Sequence, residues 1–515
     1  MKFLEEITPR EYQQKIFETC IKKNCLVVLP TGLGKTLIAL MLTIDRMQKF
    51  PGEKVVFLAP TKPLAEQHLK FFKKHLPELF ADMQLFTGAV KANQRKKIWI
   101  TADIIFSTPQ CVANDLENYL YNLEEVCLLI EDEAHRCIKN YDYNFIAKKY
   151  KEQSKNPRII GLTASPGSES AKIKEICKNL SIEEVELRTR ESEDVKEYLQ
   201  ELEFEKIMID FPPELEEIRH VLTKLSDQYI EELKRRKVLW TIPSKTKLIE
   251  LQKRLMAGIS RGNRNFNYML GVSACAQAIK IQHALELLET QTLLGFNKYL
   301  KELYNQATKK QSRGVVKLVA KAEFNFALMQ SNELLAKNSE HPKVEEILRI
   351  IKREISDNPS AKIIIFTQFR ETATTISKRL NEIEKIKAKI FVGQAKRNGS
   401  GLSQKEQRRI INEFSAGEIN VLCATCIAEE GLDIREVNAV IFYESVPSAI
   451  RVIQRTGRTA RLMKGKLILL ITKKTRDEAF YYVSRSREKS MKTAIDGIKE
   501  DFKRDSKLES QEKLE

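Results

Sequence analysis

Glycine and proline are scarce in this chain, 19 and 15 of its 515 residues, which excludes a collagen-like repeat and a long low-complexity disordered chain. No apolar run approaches the roughly 18 residues that span a bilayer, and the N-terminus MKFLEEITPR has no signal-peptide hydrophobic stretch. A soluble intracellular protein, cytoplasmic or nucleoid-associated, is therefore expected. The nine cysteines are dispersed, and the one close pair, Cys423 and Cys426 in VLCATC, has no second pair to complete a four-ligand zinc site. Buried free thiols are the expectation. The six histidines show no metal-ligand spacing, and no solenoid-period repeat runs through the chain.

What is present is length and positive charge. A chain of 515 residues exceeds one ordinary core and predicts two or three domains. Lys and Arg outnumber Asp and Glu by 87 to 70, a net +17 that favours a polyanionic partner, nucleic acid ahead of an anionic membrane surface.

Short apolar runs alternate with helix-like stretches twice. CLVVL, VVFLA, DIIFS, VCLLI and RIIGLT fall between residues 25 and 165; KIIIF, KIFV, INVLCA, AVIFY and KLILLI fall after residue 361. This alternation predicts two α/β domains with parallel sheets, the first over residues 1–200 and the second over 336–485. Between them, 201–335 reads as an all-helical insertion, with Leu215, Ile218, Leu222, Leu225, Tyr229 and Leu233 at helical spacing. Residues 241–330 hold 14 Lys or Arg against 5 Asp or Glu, with Phe266, Tyr268, Phe296 and Tyr299 interleaved, a composition suited to tracking phosphates. Within it Arg261, Arg264, Lys309, Lys310 and Arg313 are the expected contacts. Residues 486–515 are highly charged with little apolar periodicity and read as a tail or linker.

The chemistry sits in two motifs. Leu29, Pro30, Thr31, Gly32, Leu33, Gly34, Lys35 and Thr36 lie between an apolar strand and the helix TLIALMLTIDRM, the setting of a phosphate-binding loop. Glycines let backbone N–H groups converge on phosphate oxygens, Lys35 neutralises the β/γ charge, and the Thr36 hydroxyl is a Mg²⁺ ligand. Leu29 replaces the first glycine of the strict pattern. About 100 residues later, Asp132, Glu133, Ala134 and His135 end the run VCLLIE, placing two carboxylates at the sheet edge where the loop also lies. Asp132 is the expected Mg²⁺ holder and Glu133 the group that activates the hydrolytic water. ATP and Mg²⁺ are the implied cofactors.

In this order the motifs resemble those of superfamily 2 helicases with a DEAH-type ATPase core, over nearly the whole chain. The resemblance implies that Arg10 and Gln13 read adenine. It implies that Thr61, Lys62, Pro63, Thr108 and Pro109 grip a nucleic-acid strand from the first domain, with Gln368, Arg370 and Thr425 doing so from the second. Thr163, Ala164 and Ser165 match the segment linking hydrolysis to movement. Glu430, Gly431 and Asp433 in CIAEEGLDI resemble motif V, which implies nucleotide binding by Gly431 and Asp433, and QRTGRTAR resembles motif VI, which implies a catalytic role for Gln454. Arg458 and Arg461, three apart, can face one γ-phosphate across a domain interface. His135 is expected to hydrogen-bond across that interface, to Gln454.

Within the superfamily, ITPREYQ, LPTGLGKT, EDEAH, LTASPG, TQFRET, EEGLDI and QRTGRTAR, together with a basic helical insertion, are most similar to the archaeal Hef and Fanconi-anaemia M-type helicases. The resemblance implies forked or branched DNA as substrate, a role in replication-fork repair, and a nuclease domain following the motor in the full protein. A duplex-RNA-responsive ATPase of the Dicer or RNA-sensor type is the alternative. An idle scaffold is a third reading, opposed by the intact Lys35, Asp132, Glu133, Arg458 and Arg461.

Overall fold

The computed structural model describes residues 4, 6–241, 243–262, 266–394, 401–425, 437–448, 451 and 464–512, with side chains to residue 504. The first sheet has seven strands: β1 (Cys25–Val28), β2 (Lys54–Leu58), β3 (Met83–Phe86), β4 (Ile104–Ser107), β5 (Val126–Asp132), β6 (Ile159–Thr163) and β7 (Glu184–Leu187). All pair in parallel, in the order β3-β4-β2-β5-β6-β1-β7. β1, β2, β4, β5 and β6 are buried throughout, as strands covered by helices on both faces must be. The edge strands β3 and β7 mix buried and half-exposed residues, so they offer no apolar run to read in the sequence.

The second sheet comprises β8 (Leu202–Ile209), β9 (Ile363–Phe366), β10 (Ala388–Phe391), β11 (Val421–Ala424), β12 (Ala439–Phe442) and β13 (Gly465–Thr472), also parallel, in the order β10-β11-β9-β12-β13-β8. β8 corrects the expectation that residues 201–335 are helical throughout, because it pairs with β13 along its full length and belongs to the second sheet. Its sequence LEFEKIMI mixes charged and apolar residues and no residue of it is fully buried, which suits a half-exposed edge strand.

Between β8 and β9 the described residues contain helices and no strand: Pro213–Arg235, Lys245–Ser260, Phe266–Thr290, Leu293–Thr308, Arg313–Val319, Ala322–Ala336 and Pro342–Asp357. All but the last of these build a separate core around Leu222, Leu225, Leu251, Ile281, Leu288 and Phe296. The bundle is rooted on the second domain. Thr372 donates to Gln291 at 2.7 Å, Gln291 donates to Glu444 at 3.3 Å, and Arg476 donates from its backbone to Glu289 at 2.9 Å and from its side chain to Gln282.

Most of the expected tail, residues 486–512, instead continues one helix, Arg476–Glu512. It starts on the second domain, where the buried Asp477 carboxylate accepts from the Lys343 ammonium and from the backbone N–H groups of Ser445 and Thr472. It then crosses to the first domain, where Met491, Ile495 and Ile498 join the core formed by Ile173, Ile176 and Cys177. Spacings of four and three place these residues on one helix face. The stripe is narrow among many charges, so composition alone hid it. No described helix is long and apolar enough to cross a membrane.

Candidate active site

The loop after β1 is held from three sides. Leu29 N–H donates to the Thr163 carbonyl at 3.0 Å, tying its start to β6. Its far end is braced by the helix Glu11–Lys22, where the Tyr12 hydroxyl and the Gln13 amide both donate to the Leu33 carbonyl, at 2.8 and 3.1 Å. Gly32 and Gly34 have φ of 90° and 79°, a region costly for residues with a Cβ. At Gly34 a Cβ would also lie 2.2 Å from the Gln13 amide nitrogen. Lys35 and Thr36 then open the helix Lys35–Lys49. The Lys35 ammonium donates to the Leu29 carbonyl at 2.8 Å, folding over the loop. A glycine-shaped cradle, a lysine above it and a helix N-terminus behind it fit a nucleotide's phosphates.

β5 delivers Asp132 and Glu133 to the same edge. Asp132 Oδ2 lies 2.9 Å from His68 Nε2, and His68 Nδ1 lies 3.4 Å from the Thr36 hydroxyl. Both expected Mg²⁺ ligands therefore converge on one imidazole, so their donor set fits a hard cation between loop and strand. Burial pushes the Asp132 carboxyl upward, but the His68 hydrogen bond and the charges of His68 and Lys35 outweigh it, leaving it below the usual range. The preceding Glu131 is fully buried, and burial holds its carboxyl well above the usual range. Two adjacent carboxyls are thus shifted in opposite directions.

Glu133 occupies a left-handed conformation, φ 52° and ψ 45°. Such strain in a non-glycine residue collects at functional sites. Its Oε2 stands 3.2 Å from His135 Nδ1 without hydrogen-bond geometry, leaving a buried acceptor uncommitted. His135 Nδ1 instead meets the Thr163 hydroxyl at 3.2 Å, and that hydroxyl donates to the Ser165 carbonyl at 3.0 Å. With the single hydroxyl proton so used, His135 Nδ1 is the donor to Thr163. His135 is thereby engaged within the first domain; Gln454, its expected partner, lies outside the described residues.

Sequence reasoning missed His68 and Tyr12. His68 sits on the helix Lys62–His75, buried beneath the edge, and its position next to Gln67 gives no spacing signal. Tyr12 is fully buried, and its sequence position gives no sign of the hydroxyl it sends to the loop. Arg10 lies with its guanidinium 5.1 Å from the Tyr198 ring centroid, beside the loop brace.

The strand-gripping candidates gather at the same edge of both sheets. Thr61 precedes the helix Lys62–His75 with Pro63 in its first turn, and Thr108 precedes the helix Pro109–Glu117. They follow β2 and β4, which are neighbours, so the two helix N-termini lie side by side. On the second sheet Gln368 and Arg370 follow β9, and Thr425 follows the adjacent β11. Arg370 donates to the Gly393 carbonyl at 3.0 Å, and Thr425 is buried with its N–H on the Phe391 carbonyl.

In the insertion, Arg261, Lys309, Lys310 and Arg313 are exposed. Phe296 corrects the aromatic expectation, since it is fully buried in the bundle core; Tyr299 is half-buried, while Phe266 is exposed. Arg264, Glu430, Gly431, Asp433, Gln454, Arg458, Arg461 and Cys426 lie outside the described residues. Cys423 is a buried free thiol, and no metal-binding cluster occurs among the described residues.

Residues 10–173 match the DEAD/DEAH box helicase family, 342–463 the helicase conserved C-terminal domain, and 214–337 the helical bundle of a putative ATP-dependent RNA helicase family. A putative ATP-dependent RNA helicase of Methanocaldococcus jannaschii is 39% identical over 94% of this chain and 60% of its own length. The putative ATP-dependent DNA helicase fml2 of Schizosaccharomyces pombe is 31% identical over 96% of this chain and 65% of its own. The Fanconi anemia group M protein homolog of Mus musculus is 31% identical over 95% of this chain and 26% of its own. The chain thus spans less than two thirds of each of these curated relatives. The crystal structure of the Pyrococcus furiosus Hef helicase domain matches with a TM-score of 0.70 and 41% identity, covering 94% of this chain and all of that one. The chain belongs to the DEAD/DEAH box helicases, in the group that includes Hef and the Fanconi anemia group M protein.

Proposed function

We propose that this chain is an ATP-driven motor that translocates on or unwinds forked or branched DNA. One observation carries the coupling. The helix Lys62–His75 presents Thr61, Lys62 and Pro63 at its N-terminus and places His68 on both Thr36 and Asp132. A single rigid element therefore joins the polyanion-facing edge to the nucleotide site.

Thr36 and Asp132 would hold Mg²⁺, which when bound with ATP supplies positive charge to the phosphate oxygens. Lys35 leaves the Leu29 carbonyl to neutralise the β/γ-phosphates, and the uncommitted Glu133 carboxylate orients the attacking water and takes its proton. Arg458 and Arg461 from the second domain would complete the charge at the γ-phosphate as the domains close. The insertion rides with the second domain, so closure would also move its basic surface against DNA.

Relatives named as ATP-dependent DNA helicases support DNA as the polymer. The RNA reading has its own support, a helical-bundle family and a relative each named for a putative RNA helicase. ATP turnover measured side by side with single-stranded DNA, duplex DNA, forked DNA and duplex RNA decides between them. Forked DNA is expected to stimulate most, and greater stimulation by duplex RNA would replace the DNA reading with the RNA one.

A further inference from the structure

The chain has two tryptophans in opposite settings. Trp99 is buried in the first domain, its ring stacked on Tyr121 with centroids 3.8 Å apart. Trp240 is 75% exposed. It lies in the turn after the helix Pro213–Arg235, at the end of the bundle remote from the second domain. The helices Pro213–Arg235 and Phe266–Thr290 pack together and are both rooted at the β8 end. With 23 and 25 residues at 1.5 Å per residue, they carry the tip about 35 Å from the second sheet.

Trp240 borders a shallow cavity of about 450 Å³. Lys237, Arg254 and Arg261 surround it, no carboxylate lines it, and neither Lys237 nor Arg261 has an ion-pair partner among the described residues. Its floor includes the Tyr268 ring, which seats against Gly258, where a Cβ would come within 3.2 Å of that ring. The tip therefore offers an indole face bordered by unneutralised cations. That pairing suits a ligand with a flat π surface and attached negative charge, which an unpaired nucleotide supplies. Bases inside a duplex have both faces covered by their neighbours and are not available to stack.

We propose that Trp240 stacks on an unpaired base of single-stranded DNA, with Lys237, Arg254 and Arg261 on the flanking phosphates. The site rests on the DNA reading above and refines it: the tip senses a single-stranded arm, so a fork is engaged at two places about 35 Å apart.

The buried Trp99 leaves Trp240 as the solvent-accessible indole for an intrinsic fluorescence test. The full chain is titrated without nucleotide with a thymidine oligonucleotide and, separately, with a blunt DNA duplex at equal salt. Saturable quenching is expected with the oligonucleotide and little with the duplex. Trp240→Ala should remove the quenching and weaken oligonucleotide binding about tenfold, while Trp240→Phe should keep most of the affinity. Unchanged oligonucleotide affinity in Trp240→Ala, or equal quenching by blunt duplex, would overturn the stacking site. Stronger quenching by a uridine oligonucleotide would reassign it to RNA. Turnover by the unmutated chain on forked DNA is read in parallel: fork stimulation without oligonucleotide quenching removes the tip site and leaves the motor reading intact, whereas no stimulation by any DNA removes the motor reading itself.

Discussion

The two sheets share one winding. Numbered by chain order within each domain, β1 to β6 and β8 to β13 both run third, fourth, second, fifth, sixth, first across the sheet. The slot after the first strand is where they part. In the first domain β1 feeds the loop with Gly32 and Gly34 in left-handed conformations, then a helix opening with Lys35 and Thr36. In the second domain β8 feeds Asp210, Phe211, Pro212 and Pro213, and the helix Pro213–Arg235 that begins the insertion. Two prolines fix φ and remove N–H groups, so this slot cannot form a phosphate cradle. The same topology carries the proposed nucleotide site in one copy and the root of the helical bundle in the other, and the connecting residues decide which.

The largest break in the comparison comes from removing chemistry present on one side alone. Lys35→Ala and Glu133→Gln should each lower ATP turnover by about a thousandfold while DNA binding persists, measured by phosphate release and by fluorescence anisotropy. Turnover within tenfold of the parent in either variant would disprove the site.

The sheets also use buried charge differently. The first holds Asp132 below the usual carboxylate range beside His68 at the proposed nucleotide site, whereas the second buries Asp477 against Lys343 and two backbone N–H groups to seat the C-terminal helix. Asp477→Asn strands a buried ammonium and should destabilise the protein by about 3 kcal/mol in denaturant unfolding. Lys174→Ala, which removes a solvent-exposed pair with Asp501 on the same helix, should leave the unfolding midpoint close to that of the parent. Equal losses would show that the helix is not anchored at Asp477.

Exchanging the slot residues sharpens the contrast further. Gly34→Ala forces a Cβ into Gln13 at a left-handed position and should weaken nucleotide binding about tenfold. Pro213→Ala in the equivalent slot should leave nucleotide binding unchanged, and calorimetry with a non-hydrolysable ATP analogue reads both.

A smaller, pH-dependent effect lies in the insertion. Burial pushes the Glu286 carboxyl upward, but its bonds to His283 and Lys245 outweigh it and hold it at about 2. A lowered folded value means that its stabilisation is complete above the ordinary carboxylate range near 4.5 and is lost as pH falls toward 2. Glu286→Gln should therefore cost about 1 kcal/mol at pH 7 and progressively less below pH ~4.5. A difference that grows on acidification would contradict the assigned interaction.

The central strands, the phosphate loop and the Asp-Glu pair were legible in the sequence because each is a local pattern. A strand buried on both faces must be continuously apolar, and a phosphate loop needs glycine and lysine within a few positions. β3, β7 and β8 escaped because edge strands mix polar and apolar residues. Phe296 and the half-exposed Tyr299 looked alike in the sequence, and only the packing of Leu293–Thr308 separated core from surface.

Sequence by itself determined the nucleotide chemistry and the two-sheet plan, since short-range spacing dictates both. Tertiary structure decided what those parts are connected to. His68 reaches Thr36 and Asp132 from helix Lys62–His75, 32 and 64 positions away. Met491 reaches the first-domain core from a helix that begins in the second domain. The lone exposed Trp240 acquires its cations from two helices, Lys237 just after Pro213–Arg235 and Arg254 and Arg261 from Lys245–Ser260 and its C-terminal cap. Such long-range meetings depend on how whole elements pack, and no periodicity in the chain encodes them.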